Sequence, residues 1–559
     1  MKPIDPQTLK ISDTVHQTIL DRCKLTPDRI AFVRNDGSGN DLTYGEVHRL
    51  VGRIAGDLRR IGLKKGERVG IVSHNCPEWG LSYLAILAAG GVAVPLDASW
   101  KGAEISRAMK LSGVKFLVCS EKWKPAIEKI IEQNCLNAIS VAIEPLSNHS
   151  ISGLAESEAF ISRDITGDDP AAIIYTSGTS GDPKGVVLTH GNITANLSGI
   201  VQALEFYPGD AFLSILPLHH TFELTCGLLT PLLLGLRIVY SRSLKSRDIL
   251  DDIQSQKITV MIGVPLLFEK IYKAFAREID GLPISKKIPF EILYFCSRVS
   301  AGLGFKSGRL LFKSMREKVG MSSLRLMVSG AAPLPPSISK WFNIIGFDFL
   351  EGYGLSECSP VVAVNRPHDI KFGSVGPPLP NIKIEIENPS TDGVGEIKAK
   401  GPNNTPGYLN NPKASLDLIR DGWLYTGDVG KLKNGHLYIT GRKKSVIVSA
   451  AGKNIYPEEI ESALQISPLI LESIVLGRKK ENRMGEEVHA IIVPNMEAVK
   501  RNMNVADSPS PDTVKELIAG EVRAVNEHLA DYKKLVHFEL RAEEFEKTSS
   551  RKIRRGLYQ

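Results

Sequence analysis

The chain reads as an α/β protein in two bodies. The larger N-terminal body has stacked α/β sheets and a small β-barrel-like module, and a smaller mobile α+β body follows. Three observations predict this. Short β-branched runs alternate with helix-like segments up to about Val375, the texture then turns to strand pieces rich in turns, and the stretch after "GRKKS" has its own mix of both.

In chain order, "RVGIVS" precedes "PEWGLSYLAILAAG", "ITVMIGV" precedes "PLLFEKIYKAFAREI", and "LRLMVSG" precedes "PPSISKWFNII". A short apolar β-branched run reads as a buried strand and a Pro-led amphipathic stretch as a helix, so the repeat implies largely parallel sheets. The pieces "PNIKIEI", "GVGEIKAKG" and "GHLYITG" read as the β-rich module. Helices over "PEEIESALQ" and "PDTVKELIAGEVRAVNEHL" and strands over "HAIIVP" and "HFELR" make up the last body. The polar stretch Arg442–Lys444 reads as the hinge, which gives domains 1–442 and 443–559.

Composition narrows the class. With 559 residues, 43% hydrophobic and 23% charged, the chain is long enough for several packed domains. Its seven cysteines form no Cys-x-x-Cys pair and the N-terminus lacks the apolar core of a signal peptide, which reads as a reducing cytoplasm without a structural metal. The apolar stretch Leu224–Leu236 is 13 residues long with Gly and Pro inside, too short for a bilayer span. A net charge of +7 suits acidic small ligands, or peripheral contact with the inner membrane surface, better than nucleic acid.

Chemistry concentrates in a few stretches. "YTSGTSGDPKG", Tyr175–Gly185, combines glycines that let backbone N–H groups approach a ligand with hydroxyl donors and one lysine, the composition of a phosphate-holding loop, though a flexible polar turn has the same letters. It is not a Walker A loop, because Pro183 precedes Lys184 and Gly185 follows it. "SGAAPL" ends a strand in small residues on which a flat ligand can lie, and "EGYGLSE" sets the Tyr353 ring between Gly352 and Gly354 with a carboxylate at Glu357. That pairing suits a purine and a phosphate-bound Mg2+, or is a structural turn. "YTGD" offers Asp428 to two ribose hydroxyls or to a turn. His219 and His220 in "LPLHHTFE" read as core histidines as readily as catalytic ones. A serine-hydrolase elbow fails because Cys358 fills the last position of "GLSEC", and a dinucleotide fingerprint fails at Lys398 of "GVGEIK".

Seven stretches in order, "YTSGTSGDPKG", "LPLHHTFE", "SGAAPL", "EGYGLSE", "YTGD", "GRKKSVIVSAAGKNIYPEEIE" and "KTSSRKIRR", closely resemble the adenylate-forming superfamily of acyl-CoA synthetases, luciferases and adenylation domains, over nearly the whole chain. The resemblance implies ATP, Mg2+ and coenzyme A as co-substrates and cofactor. Thr176, Ser177, Gly178, Thr179, Ser180, Gly181 and Lys184 would close over the β- and γ-phosphates. Tyr353 with Gly354 and the backbone of Gly330, Ala331 and Ala332 would hold adenine, and Asp428 and Arg442 the ribose. Ser356 would face the α-phosphate and Glu357 would hold Mg2+. His220 would position the carboxylate, Lys444 would be the hinge, and Gly452 would line the thiol channel. Lys552 would be the catalytic lysine, although Arg551 stands before it where the family has Gly.

The segment "HHTFELTCGLLTPLLLG" resembles bacterial long-chain fatty acid ligases, with Leu228, Leu229 and Leu232–Leu234 expected to line an acyl tunnel. The chain ends seven residues after Lys552, so no carrier domain is expected. The reading is therefore an ATP-dependent ligase of a medium- or long-chain fatty acid to coenzyme A, monomer or homodimer, without a nucleic-acid partner. Its rivals are an arylcarboxylate–CoA ligase, an acyl-carrier-protein synthetase and a non-catalytic acyl-adenylate sensor.

Overall fold

Two large sheets share one core in the computed structural model. The structure describes residues 2–558 except 36, 38, 39, 135–137, 143–160, 177–182, 450–452, 480–485, 504–508 and 548–552, with only the backbone of 142 and 479. The eight-stranded sheet runs Val361–Val364, Asp348–Gly354, Leu326–Ser329, Val260–Gly263, Ala211–Ser214, Arg237–Tyr240, Ile30–Val33 and Leu42–Thr43 from edge to edge. Its six inner strands pair in parallel and both edges are antiparallel.

The seven-stranded sheet runs Gly407–Tyr408, Lys184–Thr189, Pro170–Thr176, Val92–Pro95, Arg68–Val72, Phe116–Cys119 and Ile139–Ala142. Pro170–Thr176 and Lys184–Thr189 are antiparallel neighbours, so the expected loop between two strands joins a hairpin within an otherwise mostly parallel sheet.

The helix Pro77–Ala88 is buried along its whole length, because its sequence is apolar nearly all round and a helix of that kind belongs between layers. Its neighbour Tyr44–Arg60 is amphipathic and starts at a reciprocal cap, where Thr43 accepts from the Glu46 backbone and Glu46 accepts from Thr43. Both helices belong to the cluster that draws apolar side chains from the two sheets.

The strand–helix pairs expected from sequence are present at 68–72 and 77–88, 260–263 and 265–280, and 326–329 and 336–344. The β-rich module is a five-stranded antiparallel sheet in which Trp423–Lys433 pairs with Gly395–Lys400, Ile419–Arg420 and His436–Arg442. A further core draws only on residues from Ile447 onward. It lies beside the three-stranded sheet Ile470–Lys479, Glu486–Pro494 and His537–Leu540 and the helices Pro457–Leu464 and Pro511–His528. Among the described residues, no helix is long and apolar enough to cross a membrane.

Candidate active site

The carboxyl ends of the parallel strands open into a cleft of about 3200 Å³, where α/β sheets commonly hold ligands. One wall is a three-residue constellation. Strand pairing sets Asp428 opposite Arg442, and the guanidinium Nε lies 3.0 Å from Asp428 Oδ1. The Tyr353 hydroxyl donates to Asp428 Oδ2 at 2.7 Å. Burial, with the adjacent carboxylate, pushes the Tyr353 phenol well above its ordinary range, so it stays a donor. A carboxylate has about four acceptor positions, so these two contacts leave room for a diol.

The opposite wall follows the strand Leu326–Ser329. Ala331 has φ 73°, a left-handed conformation that is unfavourable for a residue with a side chain and recurs at ligand sites. A Cβ on Gly330 would stand 3.0 Å from the Phe222 ring, so a side chain there would push that ring aside. Gly354 is stricter still, since a Cβ there would meet the Pro360 carbonyl oxygen at 2.0 Å. Gly330, Ala331, Ala332, Tyr353 and Gly354 all line the cleft.

At the mouth, Tyr408 links two expected groups. Its hydroxyl donates to Glu357 Oε1 at 2.7 Å, and Lys184 Nζ stands 5.0 Å from its ring centroid. Tyr408 reaches this position by pairing with Val186 beside the hairpin that carries Thr176 and Lys184. Among the described residues no group of three or more His, Cys, Asp or Glu is clustered for a metal. The donor set is one hard carboxylate beside a cationic lysine, which fits Mg2+ arriving on phosphates rather than a protein cage.

Ser356 Oγ lies 3.2 Å from Thr221 Oγ1, pairing two hydroxyls on the cleft surface. His219 and His220 both line the cleft, part-buried, with their rings 4.2 Å apart. His219 Nε2 is 3.5 Å from Asp97 Oδ2, and burial holds this imidazole below its usual range.

Along the strands of the large sheet the cleft continues as an apolar tunnel. Val260 pairs with Leu326 at one end of two neighbouring strands, Gly263 pairs with Ser329 at the other, and lining residues occur at both ends. The tunnel therefore follows roughly the strand length, about 10 Å. Ile200, Leu204, Phe206 and Phe212 line it as well, the two Phe rings 5.8 Å apart. Leu228, Leu229 and Leu232–Leu234, expected to line it, are instead fully or almost fully buried in the shared core. The segment is a π-helix, Glu223–Leu229, followed by the helix Thr230–Leu234. It presents Phe222, Glu223, Cys226 and Thr230 to the cleft.

Lys444 lines the cleft beside Lys443, which pairs with Glu396 at 2.7 Å. Ser177, Gly178, Thr179, Ser180, Gly181, Gly452 and Lys552 lie outside the described residues. Lys547 and Ile553, on either side of Lys552 in sequence, pair across an isolated bridge and line the same cleft. Sequence reasoning missed Tyr408 and the tunnel residues of the 200–212 stretch, because long-range pairing and packing bring them to the site and no local motif marks them.

The family model described as AMP-binding enzyme matches residues 19–409. A long-chain-fatty-acid–CoA ligase of Mycobacterium bovis is 29% identical over 85% of this chain and 82% of its own. A malonate–CoA ligase of Arabidopsis thaliana is 31% identical over 84% and 74%. The o-succinylbenzoate–CoA synthetase of Bacillus subtilis, solved with its acyl-adenylate intermediate, is 26% identical, with a TM-score of 0.76 and 97% of each chain covered. The same synthetase solved with ATP and magnesium is similar at a TM-score of 0.74, 25% identical, over 96% of this chain and 98% of its own. With the family model spanning well over half of its length, the chain belongs to the AMP-binding enzymes.

Proposed function

We propose that the chain is an ATP-dependent, AMP-forming acid–CoA ligase whose acid is a medium- or long-chain fatty acid. The observation that carries this is the cleft lining, in which the apolar Val260, Ile262, Leu326 and Val328 of the sheet join the polar Asp428, Glu357, Ser356 and His220. The malonate and o-succinylbenzoate ligases show that relatives take short and aromatic acids too, so chain length rests on the tunnel.

A carboxylate is a poor acyl donor because its leaving group would be oxide. Attack of one carboxylate oxygen on the α-phosphorus of ATP breaks the bond to the bridging oxygen, releases pyrophosphate and leaves a mixed anhydride. The thiolate of coenzyme A then attacks the acyl carbon and AMP departs. Two anions must approach one another in the first step, so charge neutralisation carries most of the catalytic burden.

In this reading Asp428 accepts from the ribose hydroxyls, with Tyr353 and Arg442 fixing its carboxylate. Tyr353, Gly354 and Gly330–Ala332 flank adenine. Ser356 with Thr221 faces the α-phosphate, and His220 orients the acid. Thr176, Ser177–Gly181 and Lys184 hold the β- and γ-phosphates. Glu357, oriented by Tyr408, would hold Mg2+, which when bound supplies positive charge to the phosphate oxygens. Lys552 supplies a cation at the α-phosphate. We place the domain boundary between 442 and 443, with Lys444 as pivot and Gly452 leaving room for the pantetheine arm. A cytoplasmic location fits the cysteines, since none of the six described is in a disulfide.

The test is a panel of carboxylic acids scored for AMP release with coenzyme A present. Long aliphatic acids are expected to outcompete malonate and benzoates, each buried methylene adding about 0.8 kcal/mol of binding. A preference for benzoate or malonate would overturn the fatty-acid assignment.

A further inference from the structure

We propose that the outer face of the helix Ile284–Gly302, with the segment following it to Lys313, is a docking surface for an anionic lipid bilayer. The inference stands apart from the ligase reading and rests on the helix itself. Ile284, Ile288, Ile292, Phe295, Val299 and Leu303 follow the four-and-three spacing that places side chains on one side of a helix. All six are exposed, from 47% to 76%.

The other side of this helix already has its partner. Phe290, Leu293 and Tyr294 pack on the second large core, and Ser297 Oγ donates to the Ile344 carbonyl at 2.6 Å. The apolar stripe is thus a second apolar face, which the internal packing of the domain does not use. Phe305 and Leu310, 68% and 78% exposed, follow the helix in the chain and enlarge the apolar surface of the segment. Single exposed leucines are ordinary, but a stripe running the length of a 19-residue helix, roughly 28 Å, is the signature of an interaction surface.

Charge selects the occupant. Residues 281–320 contain eight Lys or Arg (286, 287, 298, 306, 309, 313, 316, 318) and two Glu (291, 317), a net +6. The whole chain has +7, so this segment holds nearly all of the excess. Arg316 is buried, but the other seven basic residues are exposed or part-exposed. Arg298 Cζ sits 5.5 Å from the Phe295 ring centroid, directly beside the stripe. Four of the cations have acidic neighbours: Lys287 with Asp280 at 3.6 Å, Lys306 with Asp348, Lys313 with Glu317 at 3.9 Å and Lys318 with Glu278 at 2.8 Å.

An apolar helix face flanked by Lys and Arg is the pattern of a helix lying in a bilayer interface, apolar side chains in the acyl boundary and cations at the headgroups. A second copy of this chain is disfavoured because two such surfaces would bring like charges together. The preceding helix, Pro265–Asp280, begins at the cleft wall with Pro265, Leu266 and Leu267 and leads directly into this segment. A docked face would therefore be joined to the cleft through one helix.

The experiment is co-sedimentation of the full chain with vesicles of phosphatidylcholine alone or of equimolar phosphatidylcholine and phosphatidylglycerol. Wild type is expected to bind the anionic vesicles at least about tenfold more tightly than the neutral ones, and less so in high salt. The variant Ile288→Ser/Ile292→Ser/Phe295→Ser and the variant Lys286→Glu/Arg309→Glu/Lys313→Glu should each lose about tenfold or more, at roughly fivefold per basic side chain near an anionic surface. Both should keep the wild-type melting temperature. Ile292→Trp should gain a blue-shifted emission on adding anionic vesicles. Three results would overturn the proposal: equal binding by wild type and variants, no preference for anionic vesicles, or a dimer in solution that the serine variant abolishes while vesicle binding is absent.

Discussion

Tyr353 and Asp428 stand 75 residues apart in sequence, yet the phenol of one donates to the carboxylate of the other at 2.7 Å. With Arg442 on the second oxygen, Asp428 is held from two sides before any ligand arrives. Asp428→Ala removes the acceptor for the ribose hydroxyls, each charge-assisted bond being worth about 1.5–3 kcal/mol. The KM for ATP is expected to rise about tenfold or more, and that for the acid to change little. Tyr353→Phe keeps the ring and loses only the brace, so a smaller rise is expected. An unchanged KM for ATP in Asp428→Ala would remove Asp428 from the nucleotide site.

Glu357 and Tyr408 form the second braced pair. Residues that orient a metal-binding carboxylate typically change metal affinity by about 10- to 100-fold when altered. Tyr408→Phe should therefore raise the Mg2+ concentration needed for half-maximal pyrophosphate exchange by about tenfold, with the maximal rate at saturating Mg2+ largely restored. Glu357→Gln should raise it further and lower the maximum as well. A Mg2+ titration that superimposes on wild type for both variants would contradict the assignment.

Glu223 makes stability depend on pH. Its carboxyl is fully buried, and burial pushes it up to about 8 although the Ser214 hydroxyl donates to it at 2.7 Å. The folded chain therefore keeps a proton that the unfolded chain releases above the usual 4.5. Stability is present below 4.5 and declines as pH rises to about 8, at about 1.4 kcal/mol per pH unit inside that window. Glu223→Gln, neutral at every pH, should remove this component. The gap in melting temperature between variant and wild type should widen in the variant's favour from pH 5 to pH 8. Parallel curves would show that Glu223 does not carry the proton.

Much of this architecture was legible in local sequence. "RVGIVS" and "PEWGLSYLAILAAG" became a strand and a buried helix because β-branching and all-round apolarity act over a few residues. The groups in "EGYGLSE" and "SGAAPL" line one cleft because both motifs end neighbouring strands of the large sheet, and "YTGD" joins them from within the strand Trp423–Lys433, where Asp428 meets Tyr353. The leucines of "LTCGLLTPLLLG" misled because apolarity alone does not distinguish a tunnel wall from a core, and the π-helix and the helix after it bury them. Tyr408 was invisible because its partner strand lies more than two hundred residues earlier.

Two substitutions separate the half-reactions. In this account Lys552 is needed at the α-phosphate for adenylation, and the loop containing Gly452 lines the thiol channel after the C-terminal domain turns about Lys444. Lys552→Ala should slow pyrophosphate exchange by about a hundredfold or more, a common loss for a group that stabilises transition-state charge. It should spare the reaction of supplied acyl-adenylate with coenzyme A. Gly452→Leu should do the reverse. Equal losses in both half-reactions for both variants would contradict a two-conformation mechanism.

Activation of the acid through its own oxygen on the α-phosphate would leave an isotopic record in the products. The most direct measurement is a turnover with a long-chain acid labelled at both carboxylate oxygens with oxygen-18, in the presence of ATP, Mg2+ and coenzyme A, with mass analysis of the products. The expected result is one labelled oxygen in AMP and one in the thioester carbonyl, with pyrophosphate unlabelled. Unlabelled AMP, or label in phosphate or pyrophosphate, would contradict acyl-adenylate formation and with it the assignment of this cleft.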